Sequence, residues 1–104
     1  LVPKRPDLVD YDDLSAENRK ILGNEIAAVS NVIKRRFDAF KTNVAMLGNM
    51  VPQLHCHVIG RFKDDAAWPG PVWGIGTAEP YDEEEGRDRL AALRADLISA
   101  FKHL

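Results

Sequence analysis

Gln53-Leu54-His55-Cys56-His57-Val58-Ile59 runs polar, apolar, polar, apolar, polar, apolar, apolar. Successive side chains of an extended strand point to opposite faces. Gln53, His55 and His57 therefore share one face, and Leu54, Cys56 and Val58 share the other, which is the natural core side. Residues two apart on a strand have α-carbons about 6 to 7 Å apart, so both imidazoles can reach a single ligand.

Working outward, Asn43-Val44-Ala45-Met46-Leu47 is short, apolar and bounded by Gly48-Asn49, which predicts a strand followed by a turn; Pro52 restricts the backbone before the second strand. Upstream, Ile21, Leu22, Ile26, Val29, Val32, Ile33 and Phe37 recur at helical spacing, with Asp13 or Ser15 as the cap and Lys34-Arg35-Arg36 at the negative end of the helix dipole. Downstream, residues 60 to 80 are rich in Gly and Pro and hold both Trp68 and Trp73, the mark of an ordered loop. Asp82 with Glu85 makes a start resembling a capping box, and Leu90, Leu93, Leu97, Ile98 and Phe101 follow at helical spacing. The predicted fold is α+β. An antiparallel sheet includes residues 1 to 4, 43 to 47 and 53 to 60, a helix over 15 to 37 packs on it, and a C-terminal helix runs from about 82 to 103.

Composition narrows the function. The chain has 104 residues, 45% of them hydrophobic and 29% charged, with a net charge of −2, the profile of one compact domain. A chain of this length buries roughly 65% of its unfolded surface, enough for a core without staples. The single Cys56 excludes an internal disulfide. With 14 Lys and Arg against 16 Asp and Glu there is no broad positive field, so nucleic acid polymers are not expected partners. No apolar run approaches the ~20 residues of a membrane span, and Leu1-Val2-Pro3-Lys4-Arg5-Pro6 lacks the apolar middle of a signal peptide, so a cytoplasmic location is expected. The chain lacks an initiator Met and opens on an apolar dipeptide, as expected of a piece excised from a longer protein.

Three chemistries suit two imidazoles on one strand face. They could be half-exposed strand residues without a task. They could bind zinc, although Cys56 points the other way and only His103, Asp64 or Asp65 could supply a third ligand. Or one ring could act as nucleophile or general base while the other assists it. Arg61 and Lys63 could neutralise a substrate phosphate or simply end a surface strand. Trp68 and Trp73 could line a pocket or a dimer contact, or pack the loop; Cys56 reads as a buried inert thiol, and His103 as a helix-terminal cation.

Residues 53–59 resemble the signature of the histidine triad (HIT) family, His-φ-His-φ-His-φ-φ with φ apolar. The likeness extends to Leu1-Val2-Pro3-Lys4-Arg5, to Asn43–Asn49 and to Trp68-Pro69-Gly70. It implies a nucleotidyl hydrolase or transferase that needs no metal or other cofactor. In such proteins the middle histidine, here His55, attacks the α-phosphate to form a covalent nucleotidyl-histidine. A main-chain carbonyl of the first triad residue orients the attacking ring. His57 would stabilise developing charge, and Gln53 stands where the first histidine is expected, able to hydrogen bond but not to exchange a proton near neutrality. The polar Gly-Gln-Ser/Thr stretch common before the triad has no counterpart in residues 48–52, which leaves Asn49, with Arg61, as the expected substrate contacts. The resemblance also implies a nucleotide or nucleotide conjugate as partner, a homodimer, and an N-terminal hairpin that is absent here. The alternative is a HIT-like nucleotide-binding module with weak or lost catalysis.

Overall fold

The computed structural model describes all 104 residues. A short 3-10 turn, Tyr11–Asp13, precedes helix α1, Ala16–Phe37; strands β1, Lys41–Ala45, and β2, His57–Arg61, pair antiparallel; helix α2, Glu83–Phe101, follows the loop. This is the expected α+β class. No helix is long and apolar enough to cross a membrane.

Ser15 is the α1 cap, its Oγ accepting from the Asn18 amide at 3.1 Å. Asp13 instead turns backwards, its carboxylate accepting from the Val9 and Asp10 amides at 3.0 and 2.8 Å, which holds its pKa below the ordinary carboxylate value. Lys34, Arg35 and Arg36 occupy the last turn of α1, where they complement the dipole. Leu22, Val29 and Val32 are the buried stripe of this helix, whereas Ile21 is 45% exposed.

The sheet is smaller than predicted. Residues 1 to 4 form no strand, although Leu1 exchanges two hydrogen bonds with Cys56 at 2.8 Å, its N-terminal ammonium donating to the Cys56 carbonyl and its own carbonyl accepting from the Cys56 amide. Pro3 has no N–H with which to continue that ladder. The Leu54 amide donates to Leu8 instead, at 2.9 Å. The upstream strand is Lys41–Ala45 rather than 43 to 47, and because Ala45 pairs with His57, residues 53–56 have no β1 partner and only 57–61 are strand. Their alternation nonetheless holds, with Leu54 and Cys56 buried. Leu54 joins Leu8, Leu14 and Leu22 in the core cluster, with Leu1, Ile26 and Met46 packed against it.

Gly60, where the predicted strand meets the predicted loop, lies within β2 opposite Thr42. A Cβ there would come within 2.9 Å of Ile33 Cγ2 and 3.3 Å of Ala39 Cβ. The missing side chain is therefore what lets α1 seat on the strand. Helix α2 also packs on α1, with no fully buried residue of its own, tied by Arg36 to Asp96 at 2.7 Å. Its cap is Asp82, which accepts from the Glu85 amide at 2.8 Å, while the Glu85 carboxylate pairs forward with Arg89 at 3.1 Å rather than returning to close a capping box.

Candidate active site

The histidines lie where β2 begins. With Leu54 and Cys56 fixed in the core, His55 and His57 are left on the opposite face, both half-buried, and their ring centroids lie 5.2 Å apart at 72°. The Nδ1 of His55 lies 2.6 Å from the Gln53 main-chain carbonyl. A carbonyl oxygen only accepts, so Nδ1 carries the proton of the neutral ring and the Nε2 lone pair is free. The same hydrogen bond limits rotation of the ring. The Gln53 side chain is exposed and makes no hydrogen bond within the chain, so this residue contributes to the ring through its backbone.

A cavity of about 250 Å³ opens beside His55. Val9–Asp12 form one wall, Met46–Gly48 the other, and Leu54 and His55 complete the lining. The first wall is in place because Leu8 is held by the Leu54 amide and the core. Asn49 is exposed and adjoins Gly48 without lining this cavity. Tyr11 and its flanking aspartates carry no local sequence signal for the site, since they reach it through a core contact made more than 40 residues along the chain.

Arg61 corrects its expected role as a substrate contact. It is 1% exposed, with Nε and Nη2 bonded to the two Asp65 oxygens at 2.9 and 3.1 Å, Nη1 to Asn43 Oδ1 at 2.6 Å and Nη2 also to the Gly70 carbonyl at 2.7 Å. Its guanidinium lies 5.4 Å from the Trp68 ring centroid. A planar fork this fully engaged has little left for a phosphate. Asp65 also accepts from the Phe62 and Ala67 amides, and the Arg61 pairing holds its carboxyl well below the usual carboxylate range, while Arg61 is raised by the same bond. The pair ties the loop after β2 to both strands. Its sequence signal, Arg and Asp four residues apart at a strand end with Asn43 on the neighbouring strand, was present but ambiguous with a solvated surface.

The tryptophans divide. Trp68 is half-buried, edge-on to Phe40 at 5.5 Å, as loop packing predicts. Trp73 is 39% exposed and stands 5.5 Å from His57 at 82°, so it belongs with the histidines rather than with a core. Cys56 is buried, which pushes its thiol pKa up and leaves it a poor nucleophile. No three His, Cys, Asp or Glu side chains converge in a way that could hold a metal ion, so the two imidazoles have no third ligand.

Residues 1–64 match the HIT domain family, a span that takes in both histidines. Among solved structures, a histidine triad protein from Bradyrhizobium japonicum superposes with a TM-score of 0.87 and 44% identity, over 92% of this chain and 72% of that one. A histidine triad (HIT) protein from Sinorhizobium meliloti gives 0.85 and 42%, over 91% and 70%, and a histidine triad protein from Marinobacter aquaeolei gives 0.88 and 41%, over 95% and 72%. No curated protein matches the chain. The likeness to these structures thus reaches well past the matched domain, and the chain belongs to the HIT family, a superfamily of nucleotide-binding hydrolases and transferases.

Proposed function

We propose that this chain is a metal-independent nucleotidyl hydrolase or transferase in which His55 Nε2 attacks the α-phosphorus of a nucleotide. The new N–P bond forms as the bond to the leaving group breaks, and water or another acceptor then takes the nucleotidyl group and restores the ring. The observation that carries this reading is the 2.6 Å contact from His55 Nδ1 to the Gln53 carbonyl, which leaves the opposite nitrogen unprotonated and oriented. Gln53 occupies the first triad position, and because the orienting group is main chain, loss of the imidazole there does not remove it. In this reading His57, whose ring centroid lies 5.2 Å from that of His55, stabilises charge on the phosphate or the leaving group. The cavity beside His55 bears Asp10 and Asp12, whose carboxylates disfavour a phosphate there and suit a hydroxyl-bearing nucleoside; Asn49 follows its lining residue Gly48 in the chain. Residues 1–104 then act as a single HIT-like unit, to which the N-terminal hairpin implied by the resemblance would add further nucleoside contacts.

The test is turnover by the full-length protein of adenosine and guanosine phosphoramidates and dinucleotides. Hydrolysis that falls at least ~10³-fold in His55→Ala is expected for loss of a nucleophile. Turnover unchanged by that substitution contradicts the proposal. Tight nucleotide binding without turnover supports the binding-module alternative, favoured by the absence of a titratable group at Gln53.

A further inference from the structure

His55 and His57 are held differently. The first has a hydrogen bond to fix its ring; the His57 side chain makes none within the chain, so its orientation rests on packing. Two aromatic rings contact it, His55 at 5.2 Å and Trp73 at 5.5 Å, both close to edge-to-face. Aromatic pairs favour this geometry because the ring edge is positive and the face negative. Removing one of the two rings leaves a half-buried imidazole free to sample other rotamers.

The loop is shaped to deliver Trp73. Gly74 has φ of 77°, a left-handed conformation that L side chains rarely adopt, and the Ile75 amide reaches back to the Val72 carbonyl at 3.4 Å, closing a turn with Trp73 and Gly74 at its centre. Further back, the Arg61 bond to the Gly70 carbonyl anchors the same loop to β2. An indole left 39% exposed contributes less to the core than a buried one would, yet it sits against a histidine of the site.

We propose that Trp73 is a positioning residue that holds the His57 imidazole in a single orientation toward the substrate. The inference rests on the reading of His57 as the ring that assists at the phosphate. Because Trp73 acts through His57, its loss lowers the rate of the chemical step more than it weakens substrate binding.

The experiment compares Trp73→Ala and Trp73→Phe in the full-length protein, with thermal melts confirming that both fold. In the unmodified protein, NMR should show His57 ring protons displaced by the indole ring current and side-chain couplings of one rotamer. Trp73→Ala should abolish the displacement and average the couplings, and Trp73→Phe should restore a single rotamer. With a nucleoside phosphoramidate as substrate, kcat should fall about 3- to 10-fold in Trp73→Ala, the range of one aromatic pair, while KM stays within about twofold. Trp73→Phe should recover most of kcat. A His57 ring that keeps one rotamer without the indole overturns the proposal whether or not the protein turns over nucleotides. So does an unchanged kcat once the ring is released. If the ring is released as expected but the unmodified protein hydrolyses no nucleotide, the positioning contact stands and the reading of the site as a hydrolase fails.

Discussion

Replacing Gly60 by Ala tests whether helix and strand approach as closely as described. The added methyl would lie 2.9 Å from Ile33 Cγ2 and 3.3 Å from Ala39 Cβ, against an ordinary carbon contact of about 3.5 to 4.0 Å. Neither neighbour yields readily. Ile33 is β-branched and in a helix is confined to essentially one rotamer, and Ala39 has no side-chain torsion that could move its Cβ. Overpacking of this kind costs about 1–3 kcal/mol, whereas Gly→Ala gains about 0.4–1 kcal/mol by restricting the unfolded chain. The steric cost wins, leaving a net loss of roughly 1–2 kcal/mol, or a fall of about 5 to 15 °C in Tm for a domain of this size. Circular dichroism melts measure it directly. In an Ile33→Ala background the Cγ2 contact is gone, so the same Gly60→Ala change should cost at least ~1 kcal/mol less. A Gly60→Ala protein as stable as the parent, or an equal cost in both backgrounds, would refute the close approach.

Three further outcomes follow from the contacts described. Asp65 has a carboxyl pKa lowered by Arg61 and by backbone amides, so its contribution to stability is complete above the unfolded value of about 4 and is lost as pH falls below it toward the folded value; Asp13 acts in the same sense. Urea titrations of Asp65→Asn should therefore show lower stability at pH 7 and a shallower loss between neutral and acid pH than the parent shows. Gln53→Ala should leave the His55 tautomer unchanged, which nitrogen NMR reports as a protonated Nδ1 and an unprotonated Nε2, because the orienting group is the carbonyl of residue 53. Ser15→Ala removes the Oγ that accepts from the Asn18 amide and should cost ~1 kcal/mol in chemical denaturation.

What was legible in the sequence was periodic. The spacing of Leu22, Val29 and Val32 gave the core face of α1, Asp82 marked the start of α2, and strict alternation put Leu54 and Cys56 inside with the histidines on the other face. What was misread depended on partners distant in the chain. Strand limits at 41 and 57 are set by where β1 ends opposite β2, and the pairing that apolar Leu1 and Val2 suggest stops after Leu1, where Pro3 has no N–H to continue it and the Leu54 amide turns to Leu8. Gly60 reads locally only as the point where strand meets loop, because its close neighbours, Ile33 on α1 and Ala39 just beyond it, are invisible to a local reading. Arg61 looked like a surface cation for the same reason, its partners lying on β1 and beyond β2. In the site, the histidine pair was readable from spacing, whereas Tyr11 at the cavity wall and Trp73 against His57 are products of the folded chain.

The histidine pair yields a nucleophile only if the ring nitrogen opposite the Gln53 contact forms a bond to phosphorus. Rapid acid-free quenching of the full-length protein during turnover of a nucleoside phosphoramidate, followed by peptide mass spectrometry, tests this most directly. The account predicts one nucleotidyl group on His55, absent from His55→Ala. Sustained turnover with the adduct on another residue, or with none trapped at any time under single-turnover conditions, would contradict it.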